Sequence, residues 1–134
     1  MPRRFENGVD VRGALVLNGT ALQQVLTIAP SAGVYTIDVL AGNEFETNAA
    51  INGATTINLS NLASLPSGYR WTGVLDFAYT SGTISWFTGN AGFTTRWDRN
   101  TTLVPTAGET ESVIIRVIGG RSVIRIASLG GSTT

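Results

Sequence analysis

The chain has 134 residues, 43% of them hydrophobic, with nine arginines against nine acidic residues and no lysine, histidine or cysteine. That length suits one domain with a real core, and zero net charge removes the electrostatic footprint that non-specific nucleic-acid binding needs. The missing histidine, lysine and cysteine remove the commonest general base, amine and thiolate chemistry and any disulfide, which leaves carboxylates, hydroxyls and arginine for catalysis. Charged residues make up only 13% of the chain, where about 25% is usual, a surface that suits a protein packed against neighbours. Sixteen glycines with many Thr, Ser and Asn point to β structure with tight turns.

Residues 5–20, FENGVDVRGALVLNGT, carry two Asn-Gly steps around short alternating apolar runs. They read as two brief extended pieces with too little bulk to fold alone, an arm that needs a surface to lie on. Residues 20–26 could form one or two helical turns with Thr20 as N-cap or continue as a strand, and a non-strand conformation is expected. The pattern from Leu26 onward is strand and turn. Tyr35, Ile37 and Val39 alternate with Thr36 and Asp38; Phe45, Thr47, Ala49 and Ile51 alternate with Glu44, Glu46 and Asn48. Asn52-Gly53 reads as a hairpin turn into residues 55–59, so the three runs should form a meander. Residues 60–68 form a loop with apolar beads at Leu62 and Leu65.

Residues 69–97 hold eight of the eleven aromatic residues, including all three tryptophans, and should build the core. Trp71, Gly73, Leu75, Phe77 and Tyr79 share one side of a period-two strand. Runs at 83–87 and 93–97, set off by glycine turns, complete an expected set of three antiparallel strands. Residues 98–101 read as a polar turn. Residues 111–118 and 121–127 are β-branched runs joined by Gly119-Gly120, a two-residue hairpin by composition. Apolar residues on both of their faces imply burial on both sides, inside the body or at a subunit contact. Residues 130–134 contain nothing that would hold them in place.

About eight strands at this spacing imply an all-β fold: a single β-sandwich, jelly-roll-like, at 26–134, preceded by a short N-terminal β arm at 1–25. A seven-stranded immunoglobulin-like sandwich is the runner-up. The amino terminus lacks the apolar run of a signal peptide, and no 18-residue apolar stretch follows, so synthesis in the cytoplasm and no membrane partner are expected.

Three constellations offer chemistry. Asp38 and Asp76 sit mid-strand and could work as a glycosidase pair, although alternation turns each to the solvated face of its strand. Glu44, Glu46 and Asn48 line one face, but a single strand rarely wraps a cation. Arg96 and Arg99 flank Trp97 and, with Trp86 and Phe87, offer a possible exposed aromatic patch for a sugar or a base. Packing in the core or at an interface is the simpler use of those rings. No catalytic, cofactor-binding or metal-binding residue is assigned, and no small-molecule substrate is expected.

The opening FENGVDVRGALVLNGTALQ resembles short NG-V-x-V-x-GxLxVNGT repeats at the amino ends of tailed-phage virion proteins. In those proteins such repeats form interdigitated β arms of trimers or anchor the protein to the particle. The order of features VYTIDVLAGNEFETNAAINGATTINLSNL, PSGYRWTGVLDF, ISWF, TTRW and ESVIIRVIGGRSVIRIASL is similar to small β domains of phage head and tail accessory proteins. With no long shaft, the chain looks more like a capsid decoration (cement) protein or head appendage than a fibre. The resemblance implies a non-enzymatic protein of the virion exterior, a homotrimer that binds the major capsid protein. Its expected contacts are Pro2, Arg3, Arg4 and Phe5 at the arm's tip, with Val9, Val11, Leu15 and Leu17 packing behind them. A tail or fibre component that binds a host glycan through the aromatic patch is the alternative.

Overall fold

The structure, a computed structural model, describes residues 22–133. The contacts expected of Pro2, Arg3, Arg4, Phe5, Val9, Val11, Leu15 and Leu17 lie outside the described residues. Ten strands follow one another: β1 (Val25–Ile28), β2 (Val34–Asp38), β3 (Glu44–Thr47), β4 (Ile51–Asn52), β5 (Thr55–Ser60), β6 (Arg70–Ser81), β7 (Ile84–Trp86), β8 (Thr94–Trp97), β9 (Glu109–Ile118) and β10 (Val123–Thr133). Among the described residues the helical pieces are two 3-10 turns, Leu62–Ser64 and Asp98–Asn100. The all-β class is therefore as expected.

The pairing is not the expected meander. Strands β1, β3, β6, β9, β10 and β8 lie side by side in one sheet, with β4 joined to β6, while β2, β5 and β7 form a second. β1 pairs with β3 and β3 with β6, all parallel, and so do β2 with β5 and β5 with β7. The chain therefore passes from one sheet, or wall, to the other and repeats, in three stacked rungs: β1 and β2, then β3 to β5, then β6 and β7. This stacking puts like residues in line. Leu26, Phe45 and Leu75 are register partners in one wall, and Tyr35, Ile57 and Trp86 in the other. Each strand needs cover on one face only, so period-two alternation serves a parallel stack as well as an antiparallel meander.

Asn52-Gly53, expected as a hairpin, is instead a corner between walls. Gly53 N donates to Ser81 O at 3.1 Å and Thr55 N to Thr83 O at 2.9 Å, which seats this corner on the Ser81-Gly82 corner of the next rung. The aromatic stretch likewise does not form three antiparallel neighbours, because β6, β7 and β8 pair with different partners. Only the last unit is antiparallel: β9 lies against β6, and β10 folds back along β9. Its turn spans residues 119–122, two more than expected, and closes with Arg121 N donating to Ile118 O at 3.1 Å. After a bulge between Ser128 and Gly130, β10 continues to Thr133 opposite Glu109, so the tail expected to be unheld is paired in the sheet. Val25 and Leu26, expected as non-strand, belong to β1.

One apolar cluster fills the space between the walls. Leu75, Val113, Ile115, Ile37, Ile57 and Ile124 are fully buried in it, each contributing about 1.5–3 kcal/mol by removal from water. The aromatic stretch supplies Trp71, Leu75, Phe77 and Phe87, Tyr35 and Phe45 add two rings from β2 and β3, and most of the other buried residues come from β2, β5, β9 and β10. Trp71 lies flat over Gly73, where any Cβ would overlap its ring, and its Nε1 donates to Gly42 O at 3.0 Å. The segment after β7 folds over β5. There the Asn90 side chain takes both backbone groups of Leu59, accepting from N at 3.0 Å and donating to O at 2.8 Å, as a neighbouring strand would.

Candidate functional site

Alternation decides which residues face out from the seven-stranded sheet. In β6, β9 and β10 the buried residues are Trp71, Leu75 and Phe77, then Val113, Ile115 and Val117, then Ile124 and Ile126. Arg70, Arg116 and Arg125 therefore point outward, as does Arg96 beside the half-buried Trp97 of β8. Register then aligns them: Arg116 is opposite Arg125, and Arg125 is opposite Arg96. Three guanidiniums thus form a row across β9, β10 and β8. Arg70, Arg121 and Arg99 flank it, so the six arginines within the described residues all gather on this face.

Two cavities adjoin the row. The first, about 260 Å³, is lined by Arg70, Arg96, Arg116, Arg121 and Arg125 over Ile118 and Val123, and no carboxylate lines it. The second, about 200 Å³, is lined by Arg96, Arg99, Arg116 and Arg125 together with Trp97, Asp98, Asn100 and Ile126. Like charges placed directly opposite on neighbouring strands cost roughly 0.2–1 kcal/mol per pair, less where water screens them. Arg116 Nε is buried without a hydrogen-bond partner among the described residues, a further cost of about 1–3 kcal/mol. The face is thus arranged at some cost to the fold, and an acceptor with negative charge would relieve both terms.

The sequence-predicted groups fare differently. Phe87 is 3% exposed and belongs to the core, not to a surface patch. Trp86 and Trp97 are half-buried and meet edge to face at 5.5 Å, with Phe77 and Phe87 packed on Trp86. The aromatic patch is therefore a packing cluster, because Trp97 shares the inward parity of Ile126 opposite it. Arg96 and Arg99 do come together, in the second cavity.

Asp38 and Asp76 stand on different sheets. Asp38 accepts from Leu40 N at 2.9 Å and Asn61 Nδ2 at 2.8 Å, which braces a turn, and Asp76 accepts from Ser112 Oγ. Glu46 accepts from Thr27 Oγ1 at 2.9 Å, and Asn48 Oδ1 from the Tyr35 hydroxyl at 3.3 Å. Among the described residues no cluster of three acidic groups is placed to hold a metal ion, and no helix is long and apolar enough to cross a membrane. Glu111, not singled out in the sequence, is 3% exposed and accepts from Thr106 N at 3.3 Å. Gly131 leaves room for its carboxylate and that of Glu109.

The opposite end of the stack is different in kind. Among the described residues β1 pairs only with β3, and β2 only with β5, so both walls of the first rung end in a free edge. Ile28 O accepts from Asn48 N at 2.8 Å. Because successive residues alternate, Val25 and Thr27 turn their N–H and C=O groups away from β3. Leu22, Val25 and Leu40 at this end are 89%, 49% and 57% exposed. At the other end the large sheet runs on through the β9–β10 hairpin to β8, its far edge strand.

Four of the six arginines, Arg70, Arg116, Arg121 and Arg125, were not read as a group in the sequence. The available signal was their outward parity on neighbouring strands, which has meaning only once the pairing is known. No family model matches the chain, and neither a curated protein nor a solved structure is significantly similar to it.

Proposed function

We propose that the chain is a structural, non-enzymatic accessory protein of a tailed-phage particle, a decoration protein that sits on the capsid exterior as a trimer and stabilises the shell. The body is read as a sandwich of two facing sheets whose first rung is left open for assembly. The observation that carries the reading is that open rung, with the edges of β1 and β2 unpaired among the described residues on the same end of the stack beside exposed Leu22, Val25 and Leu40. An exposed edge with apolar neighbours is a template for an added strand. The residues that directly precede it, 1–21, carry short alternating apolar runs of the kind that can supply one. At about 3.3 Å per extended residue, such a segment reaches a sister copy or a shell subunit. Several such attachments per trimer turn weak contacts into tight binding, and occupied sites then stabilise the assembled shell by mass action. The glycan-binding alternative loses its main support with Phe87 and Trp97 turned inward.

The test is Val25→Pro. Proline is tolerated at the first residue of an edge strand whose N–H points away from the sheet, so the body should fold with its thermal midpoint nearly unchanged. The substitution removes a donor from the free edge, and trimer formation and particle decoration should fall together with it, as they should on deletion of residues 1–20. Full decoration by both variants would refute the reading, as would particle density confined to the tail.

A further inference from the structure

We propose that the arginine row is a binding site for tetrahedral oxyanion groups, phosphate or sulfate, with one group seated in each of the two cavities beside it. The inference goes beyond the assembly reading and stands apart from it, because the row lies on β8, β9 and β10, away from the free edges of β1 and β2.

The charge comes first. Around the first cavity five guanidiniums converge from β6, β8, β9, β10 and the β9–β10 turn, with no carboxylate among the lining residues. Opposed arginines on paired strands repel one another, and a bound anion, attracted to each of them, offsets that repulsion. Geometry then selects the anion. A carboxylate has two oxygens in one plane and a single charge, and one or two arginine forks saturate it. A phosphate or sulfate group offers three or more acceptor oxygens pointing in different directions, which suits donors arriving from five chain segments. Arg116 Nε is the specific observation: a buried donor without a partner, on the residue that lines both cavities. The Ile118 and Val123 side chains give the first cavity an apolar floor, which strengthens each charged hydrogen bond formed above it.

The two cavities share Arg96, Arg116 and Arg125, so a ligand with two linked oxyanions can straddle the row. They are unequal. Asp98 lines the second and offsets part of its charge, so the first cavity takes the first group.

The test is calorimetric titration of the full chain at constant ionic strength with inorganic phosphate, sulfate and tripolyphosphate, with citrate as the carboxylate control. Phosphate and sulfate should bind, and tripolyphosphate should bind on the order of tenfold more tightly than either. Citrate should be weaker than tripolyphosphate by a similar factor. Arg125→Gln, which removes an exposed side chain common to both cavities, should lower tripolyphosphate affinity on the order of tenfold while circular dichroism stays unchanged. Arg125→Lys should recover only part of it, because the charge returns without the fork. Arg70→Gln should weaken the first orthophosphate bound, and Arg99→Gln only the second. Vesicles of phosphatidylcholine with and without phosphatidate, run beside glycerol phosphate, separate a lipid headgroup from a free phosphate ester as the source. The proposal is overturned if none of the oxyanions binds, if citrate matches tripolyphosphate, or if Arg125→Gln binds as the parent does.

Discussion

Replacing Gly82 and Gly92 by alanine, one at a time, tests the stacked-rung architecture directly. Both glycines have positive φ, 101° and 83°, so an alanine at either is strained by about 1–2 kcal/mol. They differ in their surroundings. Nothing lies within 4 Å of a Cβ placed on Gly92, whereas one on Gly82 would overlap the backbone of Gly53 in the rung below. The two corners would have to part, weakening the hydrogen bonds from Gly53 N to Ser81 O and from Thr55 N to Thr83 O, at about 0.5–1.5 kcal/mol each. Gly82→Ala should therefore cost about 2–5 kcal/mol in total. A domain of this size loses roughly 3 °C per kcal/mol. Thermal unfolding followed by circular dichroism should show a fall of about 6–15 °C for Gly82→Ala and about 3–6 °C for Gly92→Ala, with the larger fall at Gly82. Equal losses would mean that the corners do not stack, and the parallel arrangement of the second and third rungs would be refuted.

Asn90→Ala leaves Leu59 N and O without the partners they have in the native fold and should cost about 2–4 kcal/mol in urea unfolding. Asn90→Asp, which keeps the acceptor for Leu59 N but loses the donor to Leu59 O, should fall between the two, and a neutral Asn90→Ala would remove the strand-mimic role. Burial pushes the Tyr35 phenol above the ordinary tyrosine range. A proton held more tightly in the folded state stabilises the fold fully below the unfolded value of about 10 and is lost as pH rises through the folded value. The stability difference between the parent and Tyr35→Phe, measured from about pH 9 to pH 12, should therefore shift against the parent as pH rises, and a constant difference would refute the assignment.

Strand positions were legible because period-two alternation is a local property that the backbone imposes on each segment separately. The runs at 34–40, 55–59 and 111–118 correspond to Val34–Asp38, Thr55–Ser60 and Glu109–Ile118. The inward side of the first was readable from Tyr35 and Ile37, whereas the last, expected to be buried on both faces, buries only the face of Val113, Ile115 and Val117 completely. The absence of long helix and the place of Trp71 and Phe77 in the core were legible for the same reason. Pairing was not, because an Asn-Gly step bends the chain in the same way whether the next strand returns beside the last or crosses to a facing wall. Stacking across the core, at Gly53 against Gly82, made that choice. The arginine row shows the same division. Apolar residues on both faces of the last two runs left the side of Arg116 and Arg125 open, and a two-residue turn at Gly119-Gly120 would have set Arg116 opposite Val123. The observed turn of residues 119–122 shifts β10 and sets Arg116 opposite Arg125, and parallel pairing of β8 with β10 brings in Arg96. Sequence alone therefore determined which residues face inward and which face outward where apolar and polar residues alternate, since that depends on neighbours two positions away. Only the tertiary structure decided which outward residues meet, since that depends on register between strands distant in the chain.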